Sequence, residues 1–207
     1  GGDDVLLIVP ADKALDVAKT IGEEFEKQLP NFKLEIPYDP EKVHRYQREK
    51  PSQYQYQCEL SMSAGVLIAA ENTPIYYAEK LSEQLLKSSK KLAKDLKRDY
   101  NYYGGTVDFL ALKAVTAIAS NIKDFREQGL TSGNLKFYAA PYTLHELGGL
   151  INTLQALKDA KYPKSQLYQI RSLLERGKRT AILNYRYFRV RLQQGQQDKL
   201  KTEFENA

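Results

Sequence analysis

Four residues at the start of the chain carry the strongest chemical signal. They are Gly1-Gly2-Asp3-Asp4, followed at once by Val5-Leu6-Leu7-Ile8-Val9 and closed by Pro10. Adjacent carboxylates at the mouth of an apolar strand can hold Mg²⁺, which prefers oxygen ligands and keeps waters and substrate phosphates in its shell. Mn²⁺ suits the same donors. Two such ions about 3.5–4 Å apart can clamp the attacking and leaving oxygens of a phosphoryl or nucleotidyl transfer. The glycines add backbone free of side chains, against which a nucleotide can lie. The same four residues also suit a hairpin tip, because Gly and Asp are turn residues, and taken alone they fit either reading.

Other stretches could assist such chemistry. Leu60-Ser61-Met62-Ser63-Ala64-Gly65-Val66 begins with small residues and runs into an apolar strand, where Gly65 marks a close backbone approach to a ligand or to a neighbouring helix. Lys87, Lys90, Lys91, Lys94, Lys97 and Arg98 crowd the second half of a predicted helix. They suit its dipole, and they would equally form a row facing phosphates. Residues 171–201 hold nine cations against Glu175 and Asp198, a net +7 that exceeds the +5 of the whole chain. There Arg179, Arg186, Arg189 and Arg191 stand beside Tyr185, Tyr187 and Phe188. That mixture fits an RNA backbone, a protein partner or plain solvent. His44 and His145 stand alone without metal-ligand spacing, and Cys58 reads as a small buried residue.

The elements that must position these residues follow from periodicity. The apolar run 5–9 predicts a strand buried on both faces. Asp12 is the expected N-cap of a helix reaching about Leu29, with Leu15, Ala18, Ile21, Phe25 and Leu29 at helical spacing. In residues 30–57, Pro30, Pro37, Pro40 and Pro51 interrupt any period, and Tyr and basic residues abound. This predicts a surface insertion, either a solvated loop or a platform on which a single strand stacks. A strand from about residue 63, a helix over 76–98 and a strand over 106–112 come next. From residue 113 the period is helical only: Val115, Ile118, Ile122 and Phe125 form one stripe. Thr143-Leu144-His145-Glu146 is a capping box. Helices over 165–176, stopped by Gly177, and over 180–193 complete the series. The prediction is an α+β chain with a mixed domain over 1–113 and a helical domain over 114–207.

Composition limits what this chain can be. Its 207 residues are 42% hydrophobic, enough for one large domain or two small ones. No stretch has the apolar length of a membrane span, so no membrane role is expected. The single cysteine excludes an internal disulfide, which makes the cytoplasm the expected compartment. A strand beginning at residue 5 with no hairpin partner before it suggests a fragment of a longer chain.

The order Gly-Gly-Asp-Asp, strand, helix, Ser-rich strand, Lys-rich helix, strand resembles the C-terminal half of a ferredoxin-like palm of the cyclase and polymerase type. More closely, the chain resembles the large Palm/cyclase subunit of type III CRISPR effector complexes. Gly1 to Leu6, Pro10-Ala11-Asp12-Lys13-Ala14-Leu15, Ser63-Ala64-Gly65-Val66 and Tyr103-Gly104-Gly105-Thr106-Val107-Asp108-Phe109 carry that likeness. Pro141-Tyr142-Thr143-Leu144 and Tyr162-Pro163-Lys164-Ser165-Gln166-Leu167-Tyr168 extend it into the helical region.

The resemblance implies an adenylyl transferase that joins ATP into cyclic oligoadenylate when the complex captures target RNA. It implies that Asp3 and Asp4 hold two Mg²⁺ ions and that Gly1 and Gly2 lie against a nucleotide. Ser63 and Gly65 would line an adenosine pocket, and Lys90 would reach a triphosphate, with Lys87 and Lys91 as neighbouring alternatives. The implied partners are ATP, guide and target RNA, and the other subunits of the effector. A competing reading keeps the palm as a silent scaffold and makes Arg179, Arg186, Arg189 and Arg191 an RNA- or subunit-binding surface. A cyclic dinucleotide synthase fits the helical tail and Asp4 less well.

Overall fold

Two short runs rich in β-branched and small residues form the centre of the structure, a computed structural model that describes residues 4–29, 37–46, 49–112 and 121–203. Ser63–Ile68 (β1) lies parallel to Thr106–Ala111 (β2), with Ser63 opposite Thr106 and Gly65 opposite Asp108. Thr106 and Val107 also pair antiparallel with Thr143 and Tyr142, the strand Tyr142–Thr143, giving the order β1, β2, then this third strand. Side chains alternate across the sheet. Ala64, Val66, Val107 and Phe109 point to one face, where Ala18, Tyr142, Leu144 and Leu147 pack against them. Leu67 and Leu110 point to the other, against Leu81, Leu85 and Ile122.

Three helices supply these layers. Ala14–Gln28 (α1) and Leu144–Asp159 (α5) cover the first face, and Ile75–Tyr100 (α3) covers the second. Between them in sequence lie the single-turn helix Pro40–Val43 (α2) and Ile122–Gly129 (α4), the latter capped by the Asn121 side chain on Lys123 N–H. The predicted stripe at Val115 and Ile118 falls outside the described residues. A small hairpin, Thr131–Ser132 (β3) with Leu135–Lys136 (β4), precedes the third strand of the central sheet, which is β5. The core on the first face therefore draws β5 and α5 from beyond residue 113, across the division expected from sequence.

The capping box forms as predicted. Thr143 Oγ1 accepts from Glu146 N–H, and the Glu146 carboxylate accepts from Thr143 N–H. Lys164–Leu174 (α6) and Lys178–Arg189 (α7) pair as a hairpin whose turn contains Gly177 at φ +106°, a conformation open to glycine. The last predicted helix breaks at Val190 and restarts as Gln194–Glu203 (α8), which returns to α5. Among the described residues no helix is long and apolar enough to cross a membrane.

Four expectations are corrected. Residues 5–9 form no strand: Val5 is 79% exposed and Ile8 84%, because none of the described strands lies beside them to supply a ladder. The N-cap of α1 is Lys13 rather than Asp12, since residues 11–13 make a turn closed by Lys13 N–H on Pro10 O. The buried line of α1 is Ala14, Ala18, Gly22 and Glu26, leaving Ile21 and Phe25 more than one-third exposed. Small residues win that face because Leu144 comes so close that a Cβ on Gly22 would stand 2.9 Å from its methyl groups.

The fourth correction concerns the insertion. Its described part is docked rather than solvated: Tyr38, Val43 and His44 are buried, and Tyr38 and Val43 pack with Leu96 and Tyr102 at the end of α3. Edge-to-face contacts among Tyr38, His44 and Tyr102, with centroids 5.1–5.7 Å apart, take the place of an aliphatic core.

Candidate functional site

At the end of the sheet where β1 and β2 begin, three hydroxyls converge. Thr106 Oγ1 lies 3.2 Å from Ser63 Oγ and 2.8 Å from Ser89 Oγ, and it donates to the Ser89 carbonyl at 2.9 Å. Thr106 and Ser89 are fully buried, whereas Ser63 is half-buried. The residue after Ser89 is the exposed Lys90, whose Nζ stands 3.9 Å from Asp4 Oδ1. Asp4 and Lys90, both singled out from sequence, thus meet, and the residue before Lys90 shares the Thr106 contact with Ser63, while Gly1, Gly2 and Asp3 lie outside the described residues.

The neighbouring lysines are disposed differently. Lys87 faces Glu83 one turn away at 3.8 Å, Lys97 lies 4.6 Å from the Tyr103 ring, and Lys91 is exposed. Arg98 is held by Asp99 and Asp95. Gly65 resolves toward the helix: a Cβ there would come within 2.4 Å of Leu86 N and Ser82 O, so this glycine lets α3 sit directly on β1.

Below this end of the sheet lies a buried carboxyl that sequence reading missed. Glu26, on the inner face of α1, accepts a short hydrogen bond from Gly105 N–H, the residue that leads into β2. Burial pushes its pKa up to about 7, against the lowering effect of that N–H, and Glu23 adds repulsion. Burial likewise lifts the neighbouring Cys58 thiol to about 12. A buried glutamate at the fourth place of the 14, 18, 22, 26 line is visible in sequence only once the helix is turned that way.

A second missed pair lies deeper. Asp108 on β2 faces the same layer as Thr106, and Arg126 of α4 meets it with two hydrogen bonds, at 2.6 and 2.8 Å, both side chains almost fully buried. Arg126 also stands 5.2 Å from the Tyr138 ring, and its Nε has no hydrogen-bond partner. The sequence signal was present, since strict alternation from Thr106 puts a charge inward at residue 108.

The two histidines, solitary in sequence, become neighbours, with ring centroids 4.8 Å apart. His44 Nδ1 pairs with Thr143 Oγ1 at 2.9 Å and Nε2 with the Tyr38 hydroxyl at 3.2 Å, while His145 Nε2 meets Glu49 O. Burial, aided by His145 and Lys50, depresses the His44 pKa to about 3, so its imidazole is neutral. Next to it Arg45 wraps the capping-box carboxylate of Glu146 through its own N–H at 2.6 Å and its guanidinium at 3.1 Å, and it also reaches Pro141 O. This cluster fastens the insertion to the start of α5. It forms no metal centre: among the described residues no three His, Cys, Asp or Glu side chains gather in a metal-binding group.

The basic residues named from sequence lie on or beside α7. Arg179 and Arg186 are exposed, Arg189 is half-buried, and Arg191 lies over the Tyr187 ring, 4.1 Å from its centroid. Leu183, Tyr187 and Val190, each more than half exposed, share a helical stripe between them.

Mg²⁺ is the ion that the Asp3-Asp4 pair implies, and Asp4, the described member of that pair, has the chemistry to ligate it. Asp4 offers an exposed hard-oxygen ligand, 81% accessible, and Mg²⁺ needs only one or two protein carboxylates when substrate phosphates and water complete its shell. No curated protein and no solved structure matches the chain. Residues 1–101 match the family model described as Cas10/Cmr2, second palm domain. Those residues are therefore a palm fragment of the kind found in the Cas10/Cmr2 large subunit of type III CRISPR effectors.

Proposed function

We propose that this palm converts ATP to cyclic oligoadenylate within a type III effector when target RNA binds, by nucleotidyl transfer with release of pyrophosphate. The observation that carries the proposal is the meeting of Asp4 with Lys90, the residue after the Ser89 that shares a contact to Thr106 with Ser63. A carboxylate and an ammonium almost 4 Å apart, both exposed, form a loose pair that a nucleotide triphosphate can open. Lys90 would turn from Asp4 to the phosphates, and Asp3 and Asp4 would hold Mg²⁺. When bound, that ion supplies neutralisation of the phosphoryl oxygens and in-line placement of the reacting groups. The 3′-oxygen of one ATP would bond to the α-phosphorus of another as the bond to pyrophosphate breaks. Positioning supplies most of the rate in such a transfer, because little covalent chemistry is asked of the protein. Gly1 and Gly2 would lie along the nucleotide, and Ser63 would face the nucleoside.

The test uses the full-length protein in its complex with guide RNA and partner subunits, given ATP, Mg²⁺ and target RNA. Cyclic oligoadenylates are the expected product, and an Asp3→Ala/Asp4→Ala variant that makes them at the normal yield refutes the proposal. The exposed arginines and apolar stripe of α7 favour a second, compatible role as an RNA- or subunit-binding surface. Loss of target-RNA protection in an Arg179→Ala/Arg186→Ala variant with intact subunit assembly would assign that surface to RNA; loss of assembly would assign it to protein.

A further inference from the structure

We propose that the groove between the β3–β4 hairpin and the α6–α7 turn docks a short acidic segment of a partner protein. One bulky apolar side chain of that segment enters the groove, and carboxylates beside it meet Lys136 and Lys178. The proposal is independent of the nucleotide chemistry of the palm.

Size and lining define the occupant. The groove encloses about 200 Å³. The hairpin contributes Leu135 and Phe137, the end of α6 contributes Leu174, and α7 contributes Ala181 and Ile182. Ala181 is buried, yet Leu174 and Ile182 remain 41% and 40% exposed, so folding leaves this apolar lining open to water. A small-molecule pocket usually encloses about 300–1,000 Å³. This groove is smaller and suits one leucine- or phenylalanine-sized side chain, the scale of an interface anchor. Helical periodicity puts residues 178, 181 and 182 on roughly the opposite face of α7 from Leu183, Tyr187 and Val190, so the groove is distinct from that stripe.

Charge selects the rest of the segment. Lys136 on β4 and Lys178 at the first position of α7 complete the lining. Both are exposed, and among the described residues neither has a carboxylate partner. The helix α7 holds Lys178, Arg179, Arg186 and Arg189 and no acid, and its first turn has neither an acidic residue nor a side-chain cap. Cations therefore crowd the end of a helix whose dipole favours anions, and carboxylates brought by a partner relieve that repulsion.

Other occupants fit less well. RNA would bind the lysines but leave the apolar walls wet, because bases stack on open aromatic faces and Phe137 is half-buried. A second copy docking through its own α7 stripe would bring arginines against Lys178. The chain's own Glu203-Phe204-Glu205 has the required chemistry, but α8, which ends at Glu203, packs chiefly against α5.

The experiment treats the full-length protein in its intact effector complex with a carbodiimide, which joins an amine to a carboxylate at direct salt contact, and maps the amide bonds by mass spectrometry. Lys136 or Lys178 is expected to be joined to an Asp or Glu of another polypeptide, within two positions of a Leu, Ile, Met or Phe. Ala181→Leu fills the groove and leaves every charge in place, and should lower the yield of that bond roughly tenfold. Should Ala181→Leu fail to fold, Leu174→Ser/Ile182→Ser, which alters two exposed side chains, must produce the same fall. A yield unchanged in the variant that folds overturns the proposal, as does a joined acid with no bulky apolar neighbour, or no bond to either lysine. Bonds to Glu203 or Glu205 of this chain or of a second copy would assign the groove to the chain's own tail, and ultraviolet cross-links from Lys136 or Lys178 to RNA would assign it to nucleic acid; either result overturns the proposal as well.

Discussion

Two buried side chains with opposed titrations should give this fold a plateau of stability in mild acid, and removing either should tilt it. His44 is fully buried between Tyr38, Thr143 and His145, and its pKa falls from 6.5 to about 3. The unfolded chain takes up that proton first, so the stability His44 contributes is complete above pH 6.5 and is lost as pH falls toward 3. At 1.36 kcal/mol per unit the whole loss is about 5 kcal/mol. Glu26 runs the other way, rising from 4.5 to about 7. Here the folded chain holds the proton, so the contribution is complete below pH 4.5 and is lost as pH rises toward 7, about 3 kcal/mol in all.

Between pH 4.5 and 6.5 the two slopes oppose each other and cancel. Glu26→Gln keeps an acceptor for Gly105 N–H and removes the falling limb, so stability should climb by about 3 kcal/mol across that window. His44→Gln removes the rising limb and should produce a fall of similar size. Urea unfolding at half-unit steps from pH 4 to 8 reads both. All other titrating groups are shared, so the difference between the two variants' slopes isolates this pair. Parallel pH profiles for Glu26→Gln and His44→Gln would refute the reasoning.

Other expectations follow from geometry. Gly65→Ala drives a methyl into the backbone of α3 at Ser82 and Leu86, which cannot rotate away, and should cost about 1–3 kcal/mol or more, read as a lowered melting temperature. Asp108→Leu or Arg126→Met alone strands a buried charge and should cost about 3–5 kcal/mol in urea unfolding, whereas the double variant should recover most of the loss. In the intact complex, Lys90→Ala should weaken ATP binding by about tenfold while Lys91→Ala changes it by less than about twofold, since only the former touches Asp4; equal effects of the two would contradict the placement of Lys90.

What the sequence disclosed depended on whether the deciding contacts were local. The strand at residue 63, the lysine-rich helix, the strand at 106 and the Thr143 capping box each carry their pattern within a few residues, and each formed. The run Val5 to Val9 has the composition of a buried strand, but composition states a preference for burial and cannot provide a neighbouring ladder. The insertion was misread for a related reason. Its anchors, His44 on Thr143 and Arg45 on Glu146, span about a hundred residues, and its packing is aromatic edges rather than a periodic stripe. At the candidate site, Asp4 and Lys90 were named before their contact was known, and Ser63 before its contact with Thr106. The Thr106 hydroxyl that bridges Ser63 and Ser89 was not, because a threonine in a β-strand reads as an ordinary β-branched residue until Ser89 is brought against it.

The shared core on the first face of the sheet bears on how such chains can be recombined. Leu144 fills the space that Gly22 leaves open, and Tyr142 stacks on Phe109 with ring centroids 5.8 Å apart. A chain exchanged at residue 113 would part each of these side chains from its complement and open the floor of the palm to water. The core of the first face runs on into α5, through Leu147, Leu150 and Ile151. Transplanting this sheet into another chain therefore means moving that helix with it.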